Sequence, residues 1–196
     1  MRVEIVIART TEEIDAAAER LADRPRIGCD TETSGLSAKY GKLYSVQFSD
    51  GEFGVLVPVS EGVDLGSLTA VLSDTATIKI FHNARFDLEF LSQAGYKVAN
   101  VFDTMIAEKV LTKGASQSAS LAETLYRYFA VDLDKSQRAK FTKKWNGIWT
   151  AELVDYALSD VVHLPALMLE QSAWMARLGL ADSFTGQMIK MLDHHR

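Results

Sequence analysis

RIGCDTETSGLSAKYGKLYSVQFSDGEFGVLVPV, residues 26–59, holds three strand-like runs at Arg26–Asp30, Lys42–Ser49 and Phe53–Val59, rich in Ile, Val, Phe and Tyr. Asp50-Gly51 between the last two is a hairpin-turn signal, so those two runs are expected to pair antiparallel. Outward from this stretch, Thr77–Phe81 reads as a further buried strand, and residues 1–20 as a short strand followed by an amphipathic helix. Helical periodicity marks Leu65–Leu72, Ala84–Ala94, Thr104–Leu111, Leu121–Phe129 and a long run from Ala151 to Met175. Thr150 offers that last helix an N-cap, and Pro165 inside it predicts a kink. The small, polar segment Lys113–Ser120 reads as a mobile loop. Strands first and helices later suit a mixed sheet flanked by helices, an α/β class, with residues 1–196 as one domain.

Composition narrows the class of protein. Hydrophobic residues make up 47% and charged residues 24%, ordinary for a soluble globular chain. No apolar run approaches the roughly 18 residues a membrane span needs, and the start lacks the pattern of a secretion signal. Cys29 is the single cysteine, so an internal disulfide is excluded and a cytoplasmic location is expected. Net charge is −5, which argues against a broad cationic face that coats duplex nucleic acid. It leaves room for a local cleft in which acids hold a cation, since the metal's charge is not in that count.

Three segments carry acids in suggestive places. In IGCDTETSGL (27–36), Asp30 and Glu32 sit two apart at a strand's end, so period-two alternation aims both to one side, and Gly35 lets the chain turn away. Two converging carboxylates repel unless a cation neutralises them. In KIFHNARFDLEFL (79–91), His82-Asn83 forms the turn, and Asp87 falls beside Phe86 and Leu88 on the border of a buried helix stripe. In ELVDYALSDVVHLPAL (152–167), Tyr156 and Asp160 stand four apart, one above the other on a helix face. Each pattern alone is common: a solvated turn, a helix N-terminal acid favoured by the dipole, a chance pair. Their value lies in occurring together and in order.

Asp30-x-Glu32, Asn83-x-x-x-Asp87 and Tyr156-x-x-x-Asp160 resemble the three motifs of DEDD exonucleases, within the DnaQ-like superfamily. The tyrosine resembles the DEDDy branch, which includes ribonuclease D, Werner-type exonucleases and the proofreading domains of A-family DNA polymerases. The histidine branch would need His at the position of Asp155, and His163 falls after Asp160, where it reads as a helix residue. LDKSQR (133–138), Trp145 and YALSDVVHL (156–164) are most similar to the ribonuclease D side, and FDTMIAEKVL (102–111) is shared broadly. The resemblance covers residues 27–167 and leaves a C-terminal helical segment, 168–196, where Met168, Met175, Met188 and Met191 read as core before partner-facing surface.

What the resemblance implies is an RNase H-like mixed sheet, an antiparallel hairpin plus parallel strands flanked by helices. It also implies hydrolysis of phosphodiester bonds at 3′ ends with two divalent cations, Mg²⁺ or Mn²⁺, releasing nucleoside 5′-monophosphates. Asp30 would bridge both ions, Glu32 and Asp160 would hold one, Asp87 would serve the other through water, and Tyr156 would orient the attacking water. Thr33, Leu36 and Asn83, with His82 and Phe86 around the turn, would meet the terminal nucleotides, Leu36 as a wedge. Oxygen-only donors suit such hard ions, and the set lacks the His/Cys of a zinc site.

A basic stretch in this acidic chain, Lys135, Arg138, Lys140, Lys143 and Lys144 with Phe141 and Trp145, could follow phosphates and stack on a base, or could be a solvated surface anchored by Trp145. Single-stranded 3′ ends are the expected partner, RNA before DNA, and no membrane. The resemblance to small relatives that finish oligoribonucleotides makes a homo-oligomer compatible with this reading. The alternatives are a DNA exonuclease resembling a detached proofreading domain, and a non-catalytic nucleic-acid-binding module.

Overall fold

The computed structural model describes residues 3–113, 115–134 and 136–193. Six strands form one sheet: β1 (Glu4–Ile7), β2 (Arg26–Thr33), β3 (Leu43–Ser49), β4 (Phe53–Val57), β5 (Ile78–Phe81) and β6 (Val101–Asp103), in the order β1-β4-β3-β2-β5-β6. The Asp50-Gly51 turn joins β3 and β4 antiparallel, as its sequence predicts; Asp50 accepts from the Glu52 and Phe53 amides and Gly51 takes φ +97°. β2 runs antiparallel to β3 and parallel to β5, which in turn pairs parallel with β6; β1 closes the far edge parallel to β4. The mixed sheet is the expected one.

Helices cover both faces. On one, α1 (Thr11–Ala22), α2 (Leu68–Ser73) and α3 (Ala84–Gln93) bury Ile14, Leu21, Leu68, Leu72 and Leu91 against Phe48, Val55 and Val57. On the other lie α4 (Thr104–Leu111), α5 (Leu121–Phe129), α6 (Ala151–Val162), α7 (Leu164–Leu178) and α8 (Ala181–Asp193), packed around Leu56, Ile80, Leu158 and Leu167. Each large apolar side chain so buried contributes about 1.5–3 kcal/mol of transfer free energy. α1 begins with a reciprocal capping box between Thr10 and Glu13, and Thr150 caps α6 through the Leu153 amide.

One expectation is corrected. The run Ala151–Met175 is not one kinked helix: α6 ends at Val162 and α7 starts at Leu164, with Pro165 in its first turn, where a missing N–H costs nothing. Of the segment Lys113–Ser120, Gly114 lies outside the described residues; the rest is neither helix nor strand, as a loop is, and its end is tied to the fold. The Ser118 carbonyl accepts from Arg127, and the Ala119 carbonyl from the His82 ring. Met168, Met175 and Met188 are buried, and Phe184 meets Phe102 at a tilt with ring centres 4.7 Å apart, so α8 packs one side on the core and leaves most of its residues exposed. Among the described residues, no helix is long and apolar enough to cross a membrane.

Candidate active site

The site begins with a missing side chain. Gly28 lies mid-strand in β2, and a Cβ there would sit 2.4 Å from the Val161 carbonyl oxygen and 3.0 Å from Leu164 Cβ. Glycine therefore lets the α6–α7 junction lie directly on the strand. That close approach brings Asp160 of α6 over β2, where Asp30 and Glu32 stand two residues apart on the same face. Carboxylate oxygens of Asp30, Glu32 and Asp160 all lie within 4.8 Å of one another. Strand β2 runs on to Thr33, with an irregularity between Glu32 and Thr33, so both acids sit inside the strand and not at its last residue.

Asp87 arrives from the other face. Thr31, between the two acids, points to the opposite side of the sheet, and its hydroxyl donates to Asp87 Oδ1 at 2.6 Å. Asp87 sits in the first turn of α3 and is almost fully buried. It stands outside the tight trio but within its field. Burial first, then Asp87, Asp160 and Glu32, push the Asp30 carboxyl well above the usual carboxylate range. Burial lifts Asp87 to about 7 against the opposing Thr31 hydrogen bond, with Asp103 adding to the rise. Such a set is costly to ionise and becomes favourable when a hard cation supplies the missing charge. The all-oxygen donors fit Mg²⁺ or Mn²⁺ and not a zinc site.

Two residues that sequence reading overlooked hold this geometry. One is Thr31. The other is Asp103, whose buried carboxylate accepts from four amides: Asn83 at 3.2 Å, Ala84 at 2.8 Å, Met105 at 2.8 Å and Ile106 at 3.1 Å. It caps α4 and fixes the start of α3, where Asn83 adopts the left-handed conformation with φ 72°. Asp103 thereby sets the turn from which Asp87 projects. An aspartate directly before a helical run was a capping signal for α4; its service to α3 joins segments twenty residues apart and leaves no local pattern.

A cleft of about 410 Å³ opens over the acids. Asp30, Glu32, Asp87, Tyr156 and Asp160 line it together with Thr33, Leu36, His82, Asn83 and Phe86. Met105, Ser120, Leu121 and Phe141 complete the wall, and sequence reading had offered only Phe141 among them. Leu36 is 84% exposed at the mouth. Tyr156 is buried, with its ring 6.0 Å from that of Phe141. His82 joins the wall by contacting the Thr104 hydroxyl at 2.8 Å and the Ala119 carbonyl at 2.9 Å.

Of the basic stretch, only Phe141 lines the cleft among the described residues. Trp145 packs into an aromatic cluster with Tyr44, Phe141 and Trp149, ring centres 4.8–5.2 Å away, which is an anchoring position. Phe141 is the ring that reaches the cleft. Lys140, Lys143 and Lys144 are exposed on the neighbouring surface. Lys135 and the side chain of Arg138 lie outside the described residues.

Known proteins share this fold. Ribonuclease D of Nitrobacter hamburgensis is 31% identical over 181 residues, covering 91% of this chain and 46% of that protein. The chain thus spans about half the length of the ribonuclease D proteins it matches. Brucella melitensis NrnC, solved bound to pGG, superimposes with a TM-score of 0.80 at 25% identity, covering 97% of this chain and 90% of that one. The same protein with bound Mg²⁺ gives 0.80 at 24% identity with the same coverage. Escherichia coli RNase D shares the fold with a TM-score of 0.81 at 23% identity over 97% of this chain and 50% of that one. With a 3′–5′ exonuclease family matching residues 5–170, the chain belongs to that family, on its ribonuclease D-like side.

Proposed function

We propose that the chain is a metal-dependent exonuclease that shortens single-stranded RNA, or short oligoribonucleotides, from the 3′ end and releases nucleoside 5′-monophosphates. The observation that carries the reading is the trio of Asp30, Glu32 and Asp160 oxygens within 4.8 Å, with buried Asp87 behind it, in the wall of an open cleft. Asp30, Glu32 and Asp160, with Asp87 beside them, would hold the divalent cations, Mg²⁺ or Mn²⁺. Two such ions, when bound, supply Lewis acidity at the phosphate and a lowered pKa for the attacking water. The remaining work falls to the chain. Tyr156, one turn before Asp160, orients the attacking water through its hydroxyl. Asn83, held rigidly by Asp103, and His82 contact the terminal nucleotide, and Leu36 separates the end bases. The match to Brucella NrnC, solved bound to pGG and covered over 90% of its length, supports a short substrate for this chain. A cytoplasmic enzyme is consistent with this role.

The test is a time course on 5′-labelled RNA and DNA of two to about thirty nucleotides with Mg²⁺, Mn²⁺ or EDTA. Stepwise loss from the 3′ end, dependent on the metal and faster on RNA, is expected. Equal rates on DNA would transfer the reading to a proofreading-like DNA exonuclease. Absence of metal-dependent cleavage on every substrate would reduce the chain to a binding module.

A further inference from the structure

Two segments a hundred residues apart in sequence meet at the cleft's rim. Residues 34–42 leave β2 and return to β3: Lys42 donates its amide to the Ser34 hydroxyl at 2.8 Å, and its carbonyl accepts from the Ser34 amide at 3.0 Å. Ser34 lies between Thr33 and Gly35, both in the cleft wall, so Lys42 stands at the edge of the site. Two residues on, the Tyr44 hydroxyl donates to the Thr142 carbonyl at 2.6 Å, and its ring meets Trp145 edge-on at 4.8 Å. That join places Lys42 beside the segment bearing Lys140, Lys143 and Lys144. Residues 34–42 and 140–145 together carry five lysines and no acid, in a chain of net charge −5.

The rim also holds an exposed ring. Tyr40 is 67% exposed, and Lys39 Nζ lies 5.3 Å from its ring centre. The loop beneath is held in place: the Tyr40 and Gly41 amides bond the Ser37 carbonyl, and Gly41 packs so closely on Phe90 that a Cβ would come within 2.8 Å. A tyrosine held above a fixed loop, with cations on either side, is suited to a base flanked by its phosphates.

Resting on the exonuclease reading, we infer that Lys39, Tyr40 and Lys42, joined through Tyr44 to Lys140, Lys143 and Lys144, form a binding track for the single strand upstream of the terminal nucleotides. Lys39 and Lys42 neutralise phosphates and Tyr40 stacks on a base. Substrates too short to leave the cleft do not use the track.

The discriminating experiment measures fluorescence anisotropy of a 5′-labelled ten-nucleotide single strand in Ca²⁺ across salt concentrations, alongside kcat/KM on a two-nucleotide substrate in Mg²⁺. Lys39→Gln with Lys42→Gln should flatten the dependence of log affinity on log salt by about 1.4, at roughly 0.7 per phosphate contact for single strands. Tyr40→Ala should weaken the ten-nucleotide strand about tenfold while Tyr40→Phe stays near wild type, because stacking needs the ring and not the hydroxyl. All three proteins should keep the dinucleotide rate within about twofold, as the track acts only beyond the cleft. An unchanged salt slope would overturn the inference. So would equal losses on both lengths, or a wild-type protein that binds polyglutamate through these residues but not the ten-nucleotide strand. If binding depends on the track as expected yet no strand is shortened, the track stands and the exonuclease reading fails.

Discussion

Glu108 is a buried carboxylate and Asp30 a half-buried one, and their surroundings are opposite. Glu108 on α4 accepts from the Arg127 guanidinium at 2.9 Å and from Gln171 Nε2 at 3.0 Å, on two helices of the same layer. Asp30 has Asp87, Asp160 and Glu32 as its charged neighbours, and each makes its ionisation harder. A buried charge normally brings its own partners, because unpaired burial costs several kcal/mol. Glu108 obeys that rule with protein atoms and serves the fold. Around Asp30 a hydrogen bond from the Thr31 backbone stands against three repelling carboxylates, a balance that a bound cation would reverse. The contrast separates an acid that builds the structure from acids that await a cation.

Four experiments would break or sharpen that contrast. The largest effect is expected for Asp30→Asn, which should lower kcat by roughly 10³-fold or more, since the acid cluster would lose one of its carboxylates. Its melting temperature in EDTA should hold or rise, because a repulsive charge is gone. A folded Asp30→Asn protein with undiminished turnover would end the exonuclease assignment. Arg127→Met should behave in reverse, costing about 2–3 kcal/mol of stability by leaving Glu108 without its cation while sparing kcat of the folded protein. Urea unfolding beside the turnover assay measures both.

The third experiment concerns pH. The carboxyl of Asp87 rises from the ordinary 3.8 to about 7 on folding, and that of Asp30 rises too, so the unfolded chain binds fewer protons between those limits. Stability without metal is therefore fully present below about pH 4 as far as these groups go, and is lost as pH climbs through about 7. Mn²⁺ at a hundred times its dissociation constant should restore about 2.7 kcal/mol at pH 8. Thermal melts in EDTA and in Mn²⁺ at pH 5 and 8 decide it, and a melting temperature indifferent to both would undo the contrast. The smallest effect is expected for Tyr156→Phe, about a tenfold loss in kcat, since it would remove water positioning and no metal ligand. A loss as deep as that of Asp30→Asn would give the hydroxyl a larger part.

Much of this was legible in the residues, for reasons that can be stated. α4 and α5 occupy the spans that helical periodicity marked, because an apolar stripe at that spacing has no other use. The Asp50-Gly51 hairpin formed because its turn chemistry is local. β6, three residues long, is too short for any period to show, and it forms because β5 offers it an edge. The division between α6 and α7 was half visible: Pro165 announced a disturbance, but whether a helix bends or restarts depends on the packing of the junction against Gly28. The carboxylates themselves stood out as motifs. The bond from Thr31 to Asp87 and the four amides around Asp103 did not, since a contact across a folded chain has no spacing to read.

Gly28 bears on how such a site could drift. Admitting even a methyl group there would force the Val161 carbonyl to retreat by about 1 Å to reach ordinary contact, carrying Asp160 with it. Misplacement on that scale can cost a reaction about a hundredfold. The spacing between the acids is thus calibrated by the side chain that Gly28 lacks, so a substitution that alters no charge and no donor could retune the preferred ion or silence the centre.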